Sequence, residues 1–413
     1  MSVKIIDEID TLEHLVNAQL NGVTVGDLIH DHFLRIFKAH TISLDDPRLK
    51  ELIEKFTYFF QSFNKLLDIY NVRAVLVSHC VYSYGIPVRI ALDQNVAVYQ
   101  VTGESAYLMT KDYPMAYTDF FEYKKKFNEL SIVRKSKGLE LAQERLQIRF
   151  NGAVGIDMPC TTNTAFHTNF DGSARLLGNS NKPKILVALH DFFDAANPFG
   201  NNLFSSTYEW LCGLREFSKL VDYEWYLKVN PSSTDANYEV LQSIVENSNG
   251  FRLLPVKASH HQIITEGVNC ALTIYGTIAS EYPFAGVPVI NASRNNPHVE
   301  YNFSLSPKSR DEYWQTLLNI ENLNMRIPKE EILEYYFMHH IYPVKSLLFY
   351  DYEKYLKDIG GYNNSMTSRV YRLYLGSENS RDFKELQLAF KVFIQSGNTR
   401  LDPKHFTDLN PES

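Results

Sequence analysis

The chain has 413 residues, 45% of them hydrophobic and 22% charged, with 41 Lys plus Arg against 48 Asp plus Glu and a net charge of −7. This length suggests two or three globular domains. The acidic balance argues against a broad nucleic-acid surface and leaves room only for a local basic groove.

Four scattered cysteines, Cys80, Cys160, Cys212 and Cys270, lack CxxC spacing. That predicts a reduced intracellular protein without a cysteine-based zinc site. The opening MSVKIIDEIDTLEHL carries acids where a secretion signal needs a basic and then an apolar stretch. No apolar run approaches the roughly 20 residues of a membrane span. A cytoplasmic location is expected, with peripheral membrane contact left open. The 26 Tyr, 26 Phe and 3 Trp serve a large core, although such rings also stack on sugars.

In chain order, GVTVGDLIHDHFLR (22–35) crowds Gly26, Asp27, His30, Asp31 and His32 together. The cluster has the residue types of a metal site. Leu28, Phe33 and Leu34 fall among them at helical spacing, however, and acids at a helix start are ordinary, so a structural role is expected. Residues 48–70 have apolar positions at helical spacing and run into VRAVLVSH (72–79), a strand ending in Ser78-His79. GIPVRIALDQ then reads as helix and VAVYQV (96–101) as strand, a grammar that predicts a parallel sheet with helices on both faces. NGAVGIDM (151–158) carries Asp157, and FDGSARLLGNSNKPK (170–184) has linker composition.

Beyond the linker, strands are predicted at KILVALH (184–190), YEWYLKV (223–229), FRLLPV (251–256), CALTIYG (270–276) and PVINAS (288–293), with helical segments between them. Residues 329–398 read as mostly helical, ending in SRDFKELQLAFKVFIQS. The expected fold is α/β: two Rossmann-like doubly wound domains, 1–178 and 183–328, with a helical C-terminal tail over 329–413. That arrangement is called GT-B.

Ligands of open α/β sheets bind beyond the carboxyl ends of the strands. KILVALH ends in His190-Asp191-Phe-Phe-Asp194, where Asp191 or Asp194 is a candidate base, nucleophile or hydroxyl acceptor, or else a loop brace. YEWYLKV ends in Lys228 and Asn230; the lysine offers a cation to a phosphate, or is an ordinary strand-end lysine. Ser259, His260 and His261 follow FRLLPV. Adjacent histidines on an extended chain point apart and no third ligand has a characteristic spacing, so a metal is rejected and a ligand hydrogen bond from Ser259 or one histidine is preferred. At the end of CALTIYG, Tyr275 and Gly276 precede Thr277, expected to cap the next helix, with its backbone N–H groups facing a phosphate and Glu281 on a ribose. His298, Tyr301 and Asn302 lie in a polar loop after PVINAS, either at a ligand or as a brace.

These stretches together resemble the cytoplasmic GT-B glycosyltransferases that assemble bacterial capsule and lipopolysaccharide O-antigen, some of which transfer Kdo from CMP-Kdo. The resemblance spans roughly residues 20–305 and is most specific in SHHQIITEGVNCALTIYGTIASEYPFAGVPVINASRNNPHVEYNF. Related capsule enzymes have Lys-x-His-Pro after the corresponding strand. Here Lys228, Asn230 and Pro231 match, and asparagine donates a hydrogen bond but cannot become cationic. The resemblance implies a nucleotide-sugar donor, a glycan or lipid-linked glycan acceptor, an assembly complex at the inner membrane, no nucleic-acid partner, no cofactor and no metal. Asp157, Asp191 or Asp194 would supply the carboxylate that glycosyl transfer requires. The alternatives are a sugar-nucleotide 2-epimerase and a non-catalytic sugar-binding or assembly protein.

Overall fold

The computed structural model describes residues 9–406 except 116, 155–156, 158–163, 169–173, 231–234, 249, 324, 344–345, 361–367, 369–371, 373–376 and 379. Pro231, the first residues of the expected linker and most of 361–376 in the expected helical tail therefore lie outside the described residues.

A short hairpin, β1 (Gln19–Leu20) against β2 (Val23–Thr24), leads into the helix Gly26–Phe37. Its Asp27 is buried and paired with Arg89, whose guanidinium donates to both carboxylate oxygens. The early acid and histidine cluster is thus used for packing. Among the described residues, no group of three or more His, Cys, Asp or Glu is placed to hold a metal ion.

The first sheet has three strands: β3 (Ala74–Val77) parallel to β4 (Ala97–Val101), and β5 (Ala106–Met109) antiparallel to β4. The reversal was not expected from the alternating pattern. It comes from a tight turn in which the Thr102 N–H donates to Ser105 O at 2.9 Å, and only an antiparallel pair accepts so short a connection. The helix Pro47–Ile69 covers one face with Leu52, Ile53, Phe56 and Phe60. Tyr99, Val101 and Leu108 point the other way and are covered from the far end of the chain by Ala389 and Phe393 of the helix Phe383–Ser396.

The second sheet has five parallel strands in the order β10-β9-β6-β7-β8, where β6 is Lys184–Ala188, β7 Glu224–Lys228, β8 Phe251–Leu253, β9 Cys270–Thr273 and β10 Val289–Asn291. Side chains alternate between two cores, as the period of two requires. Leu186, Tyr226, Ala271 and Val289 face one; Ile185, Val187, Trp225, Leu227, Leu272 and Ile290 face the other. Both faces being buried explains the near-continuous apolar runs read from the sequence. The helices Thr207–Phe217, Asp235–Glu246 and Arg310–Leu318 cover the second core. His260–Thr265 and Ile278–Phe284 cover the first.

The helix Ile132–Phe150 precedes the expected boundary at 178, yet its Ala142, Leu146 and Phe150 belong to the core of this second sheet. Arg149 fixes it there through an ion pair to Glu281 at 2.5 Å, with both side chains buried. Among the described residues, no helix is long and apolar enough to cross a membrane. Glu281→Gln leaves Arg149 charged and buried, and is expected to lower the unfolding free energy in urea by about 3–5 kcal/mol. Replacing both residues by methionine should recover most of that loss.

Candidate active site

The strand order places β6 in the middle, with successive strands leaving to β7 and β8 on one side and to β9 and β10 on the other. The crevice between the carboxyl ends of β6 and β9 is the topological switch point, where open α/β sheets hold ligands. A cavity of about 580 Å³ opens there. Asp194, Ala195 and Phe199 line it from the segment after β6, Tyr275, Gly276 and Thr277 from the segment after β9, and His298 from the loop after β10. The opposite wall comes from the first half of the chain: Arg35, His79, Tyr82 and Gln100. Tyr335, His339 and His340 close it from the tail.

The segment after β6 is anchored across the cleft. Buried Asp31 accepts from the Asn197 backbone N–H at 3.0 Å and from its side-chain amide at 2.9 Å. The Tyr82 hydroxyl donates to Asp194 and accepts from the Ala195 N–H at 3.1 Å. Tyr82 sits at φ 56°, a conformation uncommon for a ring-bearing residue and held here by those contacts. The Arg35 guanidinium lies 3.6 Å from the Asp194 carboxylate, which stays 58% exposed. Asp194 is thus a charged group open to the cavity, oriented by a phenol and an arginine.

Gly276 is explained by close approach. A Cβ there would meet Thr273 Oγ1 at 2.7 Å and His190 Nε2 at 3.4 Å, and its own N–H donates to the same threonine oxygen at 3.2 Å. The His190 and Tyr275 rings pack at a 31° tilt with centroids 4.3 Å apart, and the Tyr275 hydroxyl donates to Ala195 O at 2.9 Å. Thr277 is exposed and makes no capping bond to the helix Ile278–Phe284. That corrects the expected cap. The N–H groups of Ala279, Ser280 and Glu281 already donate to Gly276 and Thr277 carbonyls, which takes these three out of the expected set of donors for a phosphate.

Three histidines at or beside the cavity, His190, His298 and His339, are held in the neutral form by burial. Burial pushes His298 down to about 3, and His190 and His339 to about 4. His339 Nδ1 lies 2.9 Å from the Tyr123 hydroxyl. Two buried polar atoms of lining residues, His298 Nε2 and Gln100 Oε1, have no hydrogen-bond partner. An unpaired buried polar atom is costly, so two at one cavity point to a polar ligand.

Five of the twelve residues singled out from the sequence line this cavity: Asp194, Tyr275, Gly276, Thr277 and His298. The other seven do not, each for a visible reason. Asp157 is buried, accepting from the Tyr336 hydroxyl at 3.2 Å with Arg145 at 3.9 Å. Asp191 braces its own loop by accepting the Phe193 N–H at 2.7 Å. Lys228 is buried and donates to the carbonyls of Val229 at 3.1 Å and Val256 at 2.9 Å. Asn230 is exposed outside the lining set. Ser259 caps the helix His260–Thr265 and donates to His167 O at 2.6 Å. His260 Nδ1 is 2.6 Å from the Tyr282 hydroxyl, and burial, with Lys228 and Arg149 nearby, holds its pKa far below the usual range. Glu281 is consumed by Arg149.

The sequence reading missed Arg35, Tyr82, Gln100, Tyr335, His339 and His340. A signal existed for the last two. The adjacent histidines in FMHHI interrupt an apolar helical run and fall in a π-helical turn, Phe337–Ile341, a form frequent at functional sites.

No protein-family profile and no curated protein matches the chain. Solved structures similar to it include a β-Kdo 2,7 transferase KpsC from Thermosulfurimonas dismutans, at 15% identity over 67% of this chain and 79% of that one, TM-score 0.38. A β-Kdo 2,4 transferase KpsC from the same organism is 10% identical over 63% and 78%, TM-score 0.32. A UDP-GlcNAc 2-epimerase from Neisseria meningitidis, bound to UDP-GlcNAc, is 12% identical over 76% and 95%, TM-score 0.31. All three TM-scores fall below 0.5, so the reading of the site rests on its own geometry.

Burial lowers the Lys228 pKa from 10.5 to about 8. The unfolded chain therefore binds more protons between pH 8 and 10.5, and stability rises with pH through that window. Lys228→Met removes this dependence. It is expected to be more stable than the parent at pH 7.5 by up to roughly 3 kcal/mol, with the gap narrowing at pH 10, as read by urea denaturation.

Proposed function

We propose that the chain is a metal-independent, nucleotide-sugar-dependent glycosyltransferase of GT-B arrangement, with its reaction centre in the cavity between the two sheets. The observation that carries this reading is the Asp194 carboxylate, open to a cavity of about 580 Å³ at the switch point, beside the two unpartnered polar atoms of Gln100 and His298. That volume lies within the range of small-molecule sites, roughly 300–1,000 Å³.

Glycosyl transfer develops positive charge on the sugar and negative charge on the departing phosphate. Asp194 supplies the carboxylate near the anomeric carbon. Acting as a base, it takes the proton of the acceptor hydroxyl while that oxygen bonds to carbon and the phosphate leaves, inverting configuration. Acting as a nucleophile, it bonds to carbon first and the configuration is retained. Arg35 provides a cation and Thr277 a hydroxyl for the phosphate. Neutral His298 donates or accepts a hydrogen bond without adding charge. The donor best supported by the resemblance over residues 20–305 is CMP-Kdo, with a growing bacterial surface polysaccharide or its lipid-linked precursor as acceptor.

A melting-temperature panel with CMP, UDP, GDP and TDP tests the donor half, since only a nucleotide bound by the native state raises the transition. Asp194→Asn is expected to keep that nucleotide shift and lose transfer by roughly 100-fold or more. No shift with any of the four nucleotides contradicts the reading. Conversion of a nucleotide sugar at full rate with no acceptor present would instead identify an epimerase, and full activity in Asp194→Asn a non-catalytic role for this carboxylate.

A further inference from the structure

Residues 123–137, YKKKFNELSIVRKSK, hold Lys124, Lys125, Lys126, Arg134, Lys135 and Lys137 against a single acid, Glu129. So dense a cluster is unexpected in a chain whose net charge is −7. The helix Tyr123–Glu129 and the start of Ile132–Phe150 carry it. Tyr123 and Phe127 are buried, and between them Lys125 is exposed while Lys124 and Lys126 are half-buried. Neighbouring acids take two of the cations: Glu331 lies 3.5 Å from Lys124 Nζ and Glu122 3.1 Å from Lys126 Nζ. Lys125, Lys135 and Lys137 make no ion pair among the described residues. The first turn of Ile132–Phe150 has no acid and holds Arg134. A helix dipole disfavours a cation there; Arg134 lies over the Tyr342 ring at 5.3 Å and Lys135 donates to Asn128 O at 2.9 Å, while Lys125 and Lys137 are exposed.

The second observation is apolar. Ile132 is 86% exposed and Val133 62%, and among the described residues no other large hydrophobic side chain is as exposed as Ile132. They stand beside the cations. A nucleic acid or an acidic glycan would use the charge and leave both aliphatic chains in water. An anionic lipid surface uses both: the cations meet headgroup phosphates while the aliphatic chains enter the interface. We infer that residues 123–137 form a peripheral docking surface for a membrane rich in anionic lipid headgroups. The same short helix reaches the cavity, through the Tyr123 hydroxyl 2.9 Å from His339. Docking would bring that cavity near the lipid surface, and the docking itself does not depend on the reaction proposed above.

Vesicle co-sedimentation of the full chain tests this with phosphatidylcholine alone and with phosphatidylcholine–phosphatidylglycerol mixtures. Binding is expected only to the mixtures, weakening as salt rises. Lys125→Glu with Lys137→Glu should reduce it by at least about tenfold. Ile132→Ser with Val133→Ser should reduce it several-fold, with melting temperatures unchanged in both variants because all four side chains are exposed. Equal sedimentation with neutral and anionic vesicles, or no binding to either, overturns the proposal. Full binding by the Ile132→Ser, Val133→Ser variant also overturns it, and would mark the surface as a general polyanion site.

Discussion

The second sheet is organised around β6. Because β6 pairs with β7 on one side and β9 on the other, the chain leaves its carboxyl end in one direction and returns beside it from the opposite direction. Among the described residues the crossover helices lie on the two faces of the sheet, not between those two strand ends. The segment after β6 must therefore pass over the gap, and the segment after β9 must turn sharply at its edge. Gly276 permits that turn, and Tyr275 locks it by packing its ring against His190 and binding Ala195. The first half of the chain then reaches across through Asp31 and Tyr82 and forms the opposite wall of the cavity.

Electrostatics divide the polar residues into two groups. Glu281, Arg149 and Lys228 are buried charges spent on internal partners, and His260 is a buried neutral ring bonded to Tyr282; the Arg149–Glu281 pair ties the helices Ile132–Phe150 and Ile278–Phe284 together. Around Asp194, the carboxylate remains exposed to the cavity, and burial holds His190, His298 and His339 in the neutral form. An open carboxylate at the cavity favours a reaction in which positive charge develops on the ligand.

Much of the fold was legible because the signals were local. All five strands of the second sheet form at the apolar runs between turn residues, and the strand-Gly-Thr junction at 272–277 marked one edge of the cavity. The antiparallel β5 was hidden because its turn, Thr102–Ser105, carries only a single glycine as a cue. The site was harder to read because partners lie far apart in sequence. Nothing near Glu281 announces Arg149, 132 residues earlier, so a carboxylate in the first turn of a helix read as a ligand group when it is a buried ion-pair partner. Nor does local pattern distinguish Asp191 from Asp194. Three residues apart, one braces its loop while the other meets Tyr82 and Arg35 from the opposite wall. The tail residues Tyr335 and His339 reach the cavity only after the chain folds back, a placement no periodicity encodes.

The central claim is that a nucleotide sugar occupies the cavity at the β6–β9 switch point. Histidine ring resonances report on it directly, because His79, His298, His339 and His340 line the cavity while His14 and His405 lie outside it. On titration with CMP-Kdo, the account predicts shifts for the lining histidines, led by His298, with its unpartnered Nε2, and none for His14 or His405. Saturable binding that leaves all four lining histidines unmoved would contradict it.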